Sequence, residues 1–167
     1  AYKTYDAIRF FRKEGARVRC MISADANYFV SPVTIEALTG ERVYDDLFKS
    51  YSLGRAVHID LAEWADIVCV VPATADMLAK AAAGICDDIV LATVLAAKAP
   101  VVYAPAMHSN MWTHPATQTN IECLRQRGTW IAGPQSGMLA DGARGPGHIA
   151  STEEIVQVTR QALASRQ

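Results

Sequence analysis

The sequence predicts an α/β fold built on a doubly wound parallel sheet. Short β-rich runs alternate with helical patterns along the chain, the order that a parallel sheet with crossover helices produces. The runs are apolar without polar alternation, as strands covered on both faces require. The helical stretches stop at Gly15, Gly40, Gly84 and Gly128, each well placed to end a helix. A chain of 167 residues that is 51% hydrophobic and 20% charged suits one domain with a real core, which excludes a disordered segment. A net charge of −1 and a pI near 6.5 argue against a nucleic-acid coat and against a binder of anionic membranes. The apolar run at about residues 67–72 is the size of a strand, and no apolar stretch approaches the length needed to span a bilayer.

Strands are expected at 17–22, 67–71, 101–104 and 129–132. Helices are expected at 2–14, 34–39, 75–83, 87–97, 116–127 and 152–165. The first helix places Tyr5, Ile8 and Phe11 on one side, with Phe10 near them. The acidic pair Asp87-Asp88 suits a helix N-terminus, and Ser151-Thr-Glu-Glu154 reads as a capped start. His114, just before Pro115, reads as another helix start. The chain opens directly into a helix, whereas doubly wound nucleotide-binding domains begin with a strand and a glycine-rich phosphate loop. The expectation is therefore that a first strand and phosphate loop precede residue 1.

Cys20, Cys69, Cys86 and Cys123 form no Cys-x-x-Cys pair and have no histidine at ligand spacing, so no metal site is expected. All four are read as reduced core or near-core residues of a cytoplasmic protein.

Ligands of open α/β sheets bind beyond the carboxyl ends of the strands. The loops 23–27, 72–77 and 105–112 follow three such ends. In the second, Pro72 reads as a strand stop, and small residues would let a planar ligand approach the backbone just before a helix N-terminus. The third gathers Met107, His108, Asn110, Met111 and Trp112, a segment too apolar to stand free. It reads either as a small satellite core or as a ligand or subunit contact. Residues 137–147 carry so much glycine that no strand or helix interior is expected there, leaving a mobile flap or a plain surface loop. By itself His58 reads as an ordinary surface or core histidine.

Four segments together say more: His58-Ile-Asp-Leu-Ala-Glu-Trp-Ala-Asp66, Pro72-Ala-Thr-Ala-Asp76, Ala83-Gly-Ile-Cys-Asp-Asp88 and Pro105-Ala-Met-His-Ser-Asn-Met-Trp112. In order and spacing they resemble the flavin-containing cysteine decarboxylases, over nearly the whole chain. That family includes the phosphopantothenoylcysteine decarboxylases of coenzyme A synthesis and the lantibiotic peptide decarboxylases. The resemblance implies a Rossmann-like FMN-binding domain, assembled as a homotrimer with flavin and substrate at the subunit interface. In bacteria the domain is often the N-terminal half of a bifunctional protein.

The implied reaction converts 4′-phospho-N-pantothenoylcysteine to 4′-phosphopantetheine. The implied alternatives are a peptide cysteine decarboxylase that forms an enethiol and a non-catalytic regulatory subunit. By the same resemblance His58 takes the place of the family's base, which reverses its bland reading. Ser23, Thr74, Ala75, Asp76, Met77 and Ala106 match flavin contacts. His108 stands where most members have an asparagine that holds the substrate carboxylate. Met138, Leu139 and Ala140 fall in the substrate-recognition flap. Asp141 replaces a cysteine that helps protonate the enethiol, and is the candidate proton donor in its stead.

Overall fold

The computed structural model describes residues 2–48, 55–138, 142 and 144–165. In chain order the elements are α1 (Lys3–Lys13), β1 (Cys20–Met21), a 3-10 helix (Ala24–Tyr28), α2 (Pro32–Thr39), β2 (Val43–Tyr44), α3 (Val57–Trp64), β3 (Val68–Ala73), α4 (Ala75–Ala83), α5 (Ile89–Ala96), β4 (Val101–Pro105), α6 (Ser109–Trp112), α7 (Pro115–Gln126), β5 (Trp130–Ile131), β6 (Gln135–Met138), β7 (Arg144–His148) and α8 (Thr152–Ala164). They fall into two compact units, Ala1–Ala65 with Cys86–Lys98, and Asp66–Ile85 with Ala99–Gln167.

In the first unit β1 and β2 pair in parallel, Cys20 opposite Val43 and Met21 opposite Tyr44. Ile8, Ile22, Val30 and Ile35 form its buried cluster, with Tyr5, Val18 and Leu38 packed against it. The helix α5 packs on α3 and buries Ile89, Val90, Leu91, Ala92 and Thr93 in succession. A helix apolar all round must be largely covered, and α5 leaves Leu95 exposed near its end. Its one buried hydroxyl is satisfied locally, Thr93 Oγ1 donating to the Ile89 carbonyl at 2.7 Å. The acidic pair behaves as the sequence suggests at Asp88, whose carboxylate accepts from the Leu91 amide at 2.7 Å as the N-cap of α5.

The second unit carries a parallel sheet in the order β3-β4-β5. Val68 stands opposite Val101 and Val102 opposite Trp130. All of β4 is buried, and α8 packs on β4 and β5. Val102, Ala104, Ala132, Ala150, Ile155 and Ala162, each 0% exposed, make the core. The start of α8 is capped as expected, Ser151 Oγ accepting from the Glu154 amide at 3.2 Å. His114 caps α7 through Nδ1, which accepts from the Ala116 amide at 3.2 Å.

The parallel α/β class is therefore as the sequence predicts, and three expectations need correction. Pro72 does not stop the strand, because β3 runs on to Ala73 and its register against β4 shifts between Val70 and Ala73. A shifted ladder accommodates a residue that has no N–H to donate. Residues 137–147 are not a plain loop either. Their described parts belong to an antiparallel hairpin of β6 and β7, Gly137 opposite Gly145. Finally, Cys86 is exposed rather than near-core.

The free cysteines thus divide by environment. Burial pushes the thiols of Cys20 and Cys69 up to about 11. At pH 8 a thiol with that value is only about one part in a thousand thiolate. A disulfide reagent at pH 8 is expected to modify Cys86 in the folded protein, and Cys20 and Cys69 only after denaturation. Mass mapping of the modified peptides checks this, and modification of Cys69 as fast as Cys86 contradicts it.

Candidate functional site

In the second unit the β3 and β4 strand ends are joined by a backbone bond, the Ala106 amide donating to the Ala73 carbonyl at 3.0 Å. Two of the expected ligand loops therefore leave the sheet side by side. The first becomes the N-terminus of α4. Thr74 is its N-cap, and Oγ1 accepts from the Met77 amide at 3.1 Å. The first-turn amides of Ala75 and Asp76 have no intrahelical acceptor, as at every helix start. Thr74 and Asp76 are exposed, and Ala75 and Met77 half-buried. Asp76 pairs with Lys80 at 3.2 Å, one helical turn along.

The second loop places Ala106, half-buried, and His108, exposed, before the short helix α6. His108 caps that helix with Nδ1, which accepts from the Asn110 amide at 3.1 Å. In a neutral imidazole this leaves the proton on Nε2, making that nitrogen the donor. Beside these loops Ala75, Asn110, Met111, His114 and Thr117 line a recess of about 370 Å³. Met111 remains 48% exposed within it, so the apolar 105–112 segment is not wholly absorbed into a satellite core.

The hairpin comes next to the same loop. The Met107 amide donates to the Gly147 carbonyl at 3.0 Å, and Ser109 Oγ donates to the Pro146 carbonyl at 2.6 Å. Its glycines have a steric cause. A Cβ at Gly147 would fall inside contact distance of the Met107 carbonyl, and one at Gly145 inside that of Ser109 Oγ. Gly147 also has φ of 119°, which side chains rarely adopt. Met138 ends β6 at 62% exposure. Leu139, Ala140 and Asp141 lie outside the described residues.

Two expected site residues belong to the first unit. Ser23 follows β1 at the start of the 3-10 helix, half-buried, with its hydroxyl making no capping bond. His58 is in the first turn of α3, whose N-cap, Ala56, has no side-chain group to offer. The His58 Nδ1 is buried and has no hydrogen-bond partner among the described residues. A buried, unsatisfied nitrogen costs about 1–3 kcal/mol, which a ligand can recover. Nothing in the sequence signals that orphan atom. Nor does the sequence reading find Ser109 and Pro146, although glycines alternating at 145 and 147 mark one strand face approached closely by another backbone.

The architecture defines an α/β ligand-binding domain whose loops gather beyond the carboxyl ends of parallel strands. Comparison with known proteins narrows the class. The Flavoprotein family profile matches residues 1–164, and the chain belongs to that family. It is 42% identical over 163 residues to the coenzyme A biosynthesis bifunctional protein CoaBC of Mycobacterium tuberculosis, covering 98% of this chain and 38% of that protein. It is 43% identical over 150 residues to the Bacillus subtilis CoaBC, covering 90% of this chain and 37% of that protein. The chain thus spans well under half the length of these curated relatives.

Among solved structures, the FMN-dependent cysteine decarboxylase SpaF superposes with a TM-score of 0.83 at 35% identity, over 96% of this chain and 89% of that one. A PPC decarboxylase mutant complexed with pantothenoylaminoethenethiol superposes at 0.85 with 28% identity, over 95% of this chain and 89% of that one.

Proposed function

We propose that this chain is an FMN-dependent decarboxylase domain that converts 4′-phospho-N-pantothenoylcysteine to 4′-phosphopantetheine in coenzyme A synthesis. The observation that carries the reading is 42% identity to the bifunctional coenzyme A protein across 98% of the chain. The likeness to a PPC decarboxylase complexed with pantothenoylaminoethenethiol agrees with it.

The residues fit a flavin. The Ala75 and Asp76 amides are donors without helical acceptors, suited to an acceptor-rich heterocycle. Small Ala75 and Ala106 allow a planar ring close to the main chain. The His58 Nδ1 is a buried polar atom in want of a partner. A bound FMN would supply reversible two-electron chemistry, accepting the electrons as the cysteinyl thiol becomes a thioaldehyde, whose C=S group stabilises the electrons left when carbon dioxide departs, and returning them to the resulting enethiol to give 4′-phosphopantetheine.

The chain's own groups do the rest in this reading. Neutral His58 takes the thiol proton. The Nε2 proton of His108 donates to the substrate carboxylate and holds it in the site. Thr74, by tying up the Met77 amide, leaves the Ala75 and Asp76 amides as the flavin donors. Ser23 places its uncapped hydroxyl at the end of β1 for a flavin contact. Met138, exposed at the end of β6, offers an apolar contact to the pantothenoyl arm.

The protein is further proposed to be a cytoplasmic homotrimer. The half-exposed Met111, in a segment that resembles the family's interface signature, supports a covering subunit. No described helix is long and apolar enough to cross a membrane. Light scattering of the purified protein is expected to give three chains or a multiple, and a stable monomer at micromolar concentration counts against it.

Incubation of the FMN-loaded protein with phosphopantothenoylcysteine is expected to release carbon dioxide and form 4′-phosphopantetheine. His58→Asn is expected to keep the fold and the flavin while lowering turnover by about 10²–10⁴-fold, the usual contribution of a general base. Turnover of a C-terminal cysteine peptide in place of phosphopantothenoylcysteine favours the peptide decarboxylases instead. A His58→Asn variant that works at the wild-type rate removes His58 as the base.

A further inference from the structure

Two hydrogen bonds flank His108. On its N-terminal side the Met107 amide donates to the Gly147 carbonyl at 3.0 Å. On its C-terminal side Ser109 Oγ donates to the Pro146 carbonyl at 2.6 Å. Both acceptors are on β7, the returning strand of the glycine-rich hairpin. The ring of His108 is held as well, by the bond its Nδ1 accepts from Asn110. We propose that Ser109 is a positioning residue, which brackets the hairpin to the His108 loop so that His108 and the hairpin are set in place together for substrate. The proposal rests on the decarboxylase reading, in which His108 meets the substrate carboxylate.

The sequence of β7 is shaped for this contact. Gly145 and Gly147 lie two residues apart, and each is where another side chain would collide with the loop. Pro146 between them carries no N–H and contributes its carbonyl to Ser109. The rest of the loop has its own anchors, since Ala106 is bonded to Ala73 and α6 begins at Ser109. The Ser109 hydroxyl therefore gives a side-chain bond that connects the hairpin to the residue beside His108. Losing it leaves the main-chain bond from Met107 on the other side. The loss falls on how His108 meets the substrate and leaves the flavin contacts in place. It belongs in KM rather than in kcat or flavin content.

A compensating pair separates this role from general packing. An alanine at position 145 must displace the Ser109 hydroxyl. Once that hydroxyl is gone, the next atom is Ser109 Cβ at 3.2 Å, which can yield by a few tenths of an ångström.

The test measures hydrogen exchange at the Met107 amide, with and without FMN, together with KM, kcat and FMN content. The proteins compared are wild type, Ser109→Ala, Gly145→Ala and the double variant. Ser109→Ala is expected to quicken Met107 exchange and raise KM for phosphopantothenoylcysteine by about 2- to 12-fold, the range that one net hydrogen bond gives. FMN content and kcat stay near wild type. Gly145→Ala is expected to act similarly, and the double variant to be no worse than either single change. Ser109→Thr, which keeps the hydroxyl, restores KM.

Unchanged Met107 exchange in Ser109→Ala overturns the bracket, whether or not the protein turns over substrate. Quicker exchange with unchanged KM in an active enzyme overturns the positioning role. So does additive damage in the double variant. If the wild type has no turnover while Ser109→Ala still quickens exchange, the bracket stands and the decarboxylase reading falls.

Discussion

One backbone hydrogen bond fixes the second unit's candidate site. The Ala106 amide reaches the Ala73 carbonyl where β3 and β4 end, and so the two following loops start from adjacent points. Parallel pairing makes this possible, because parallel strands present their carboxyl ends on the same side. Val68 and Val70 stand opposite Val101 and Tyr103, and Cys69 opposite Val102, so that β4 is buried on both faces. Thr74 and His108 then do similar work on the two loops, each giving a side-chain acceptor to a helix start. The caps stabilise the helices, and they also decide which donors remain for a ligand.

Backbone proximity is a second constraint, and it explains the composition of the hairpin. Glycine in a strand weakens it, since there is no side chain to pack and more entropy to lose. Here β7 runs against the 107–109 backbone, and any larger residue at 145 or 147 meets main chain or the Ser109 hydroxyl. The weakened strand is compensated by two bonds to that loop and by pairing with β6.

The sequence was informative where local chemistry and burial agree. The helix α4 falls at 75–83 as expected, because Thr74 caps it and Gly84 follows it. The starts of α5, α7 and α8 are legible for the same reason, through Asp88, His114 and Ser151. The strand ladder at 43–44 escaped because two residues are too few to show a period. The helix α3 escaped because Ala56 offers no capping side chain and residues 57–64 follow no capped pattern. The hairpin was misread because glycine signals a break locally, while its use here is set by a backbone distant in sequence. The site divides in the same way. The 74–77 loop and His108 can be picked out from motifs, whereas the orphaned His58 nitrogen and the Ser109 bracket exist only in three dimensions.

In the proposed function the loops at the ends of β3 and β4 form a flavin cradle from main-chain donors and small side chains. A crystal structure of the protein with FMN tests it most directly. The ring system is expected against residues 74–77 and Ala106, with a hydrogen bond from the Ala75 or Asp76 amide. A flavin bound elsewhere, or crystals grown with saturating FMN in which those loops hold no flavin, contradicts it.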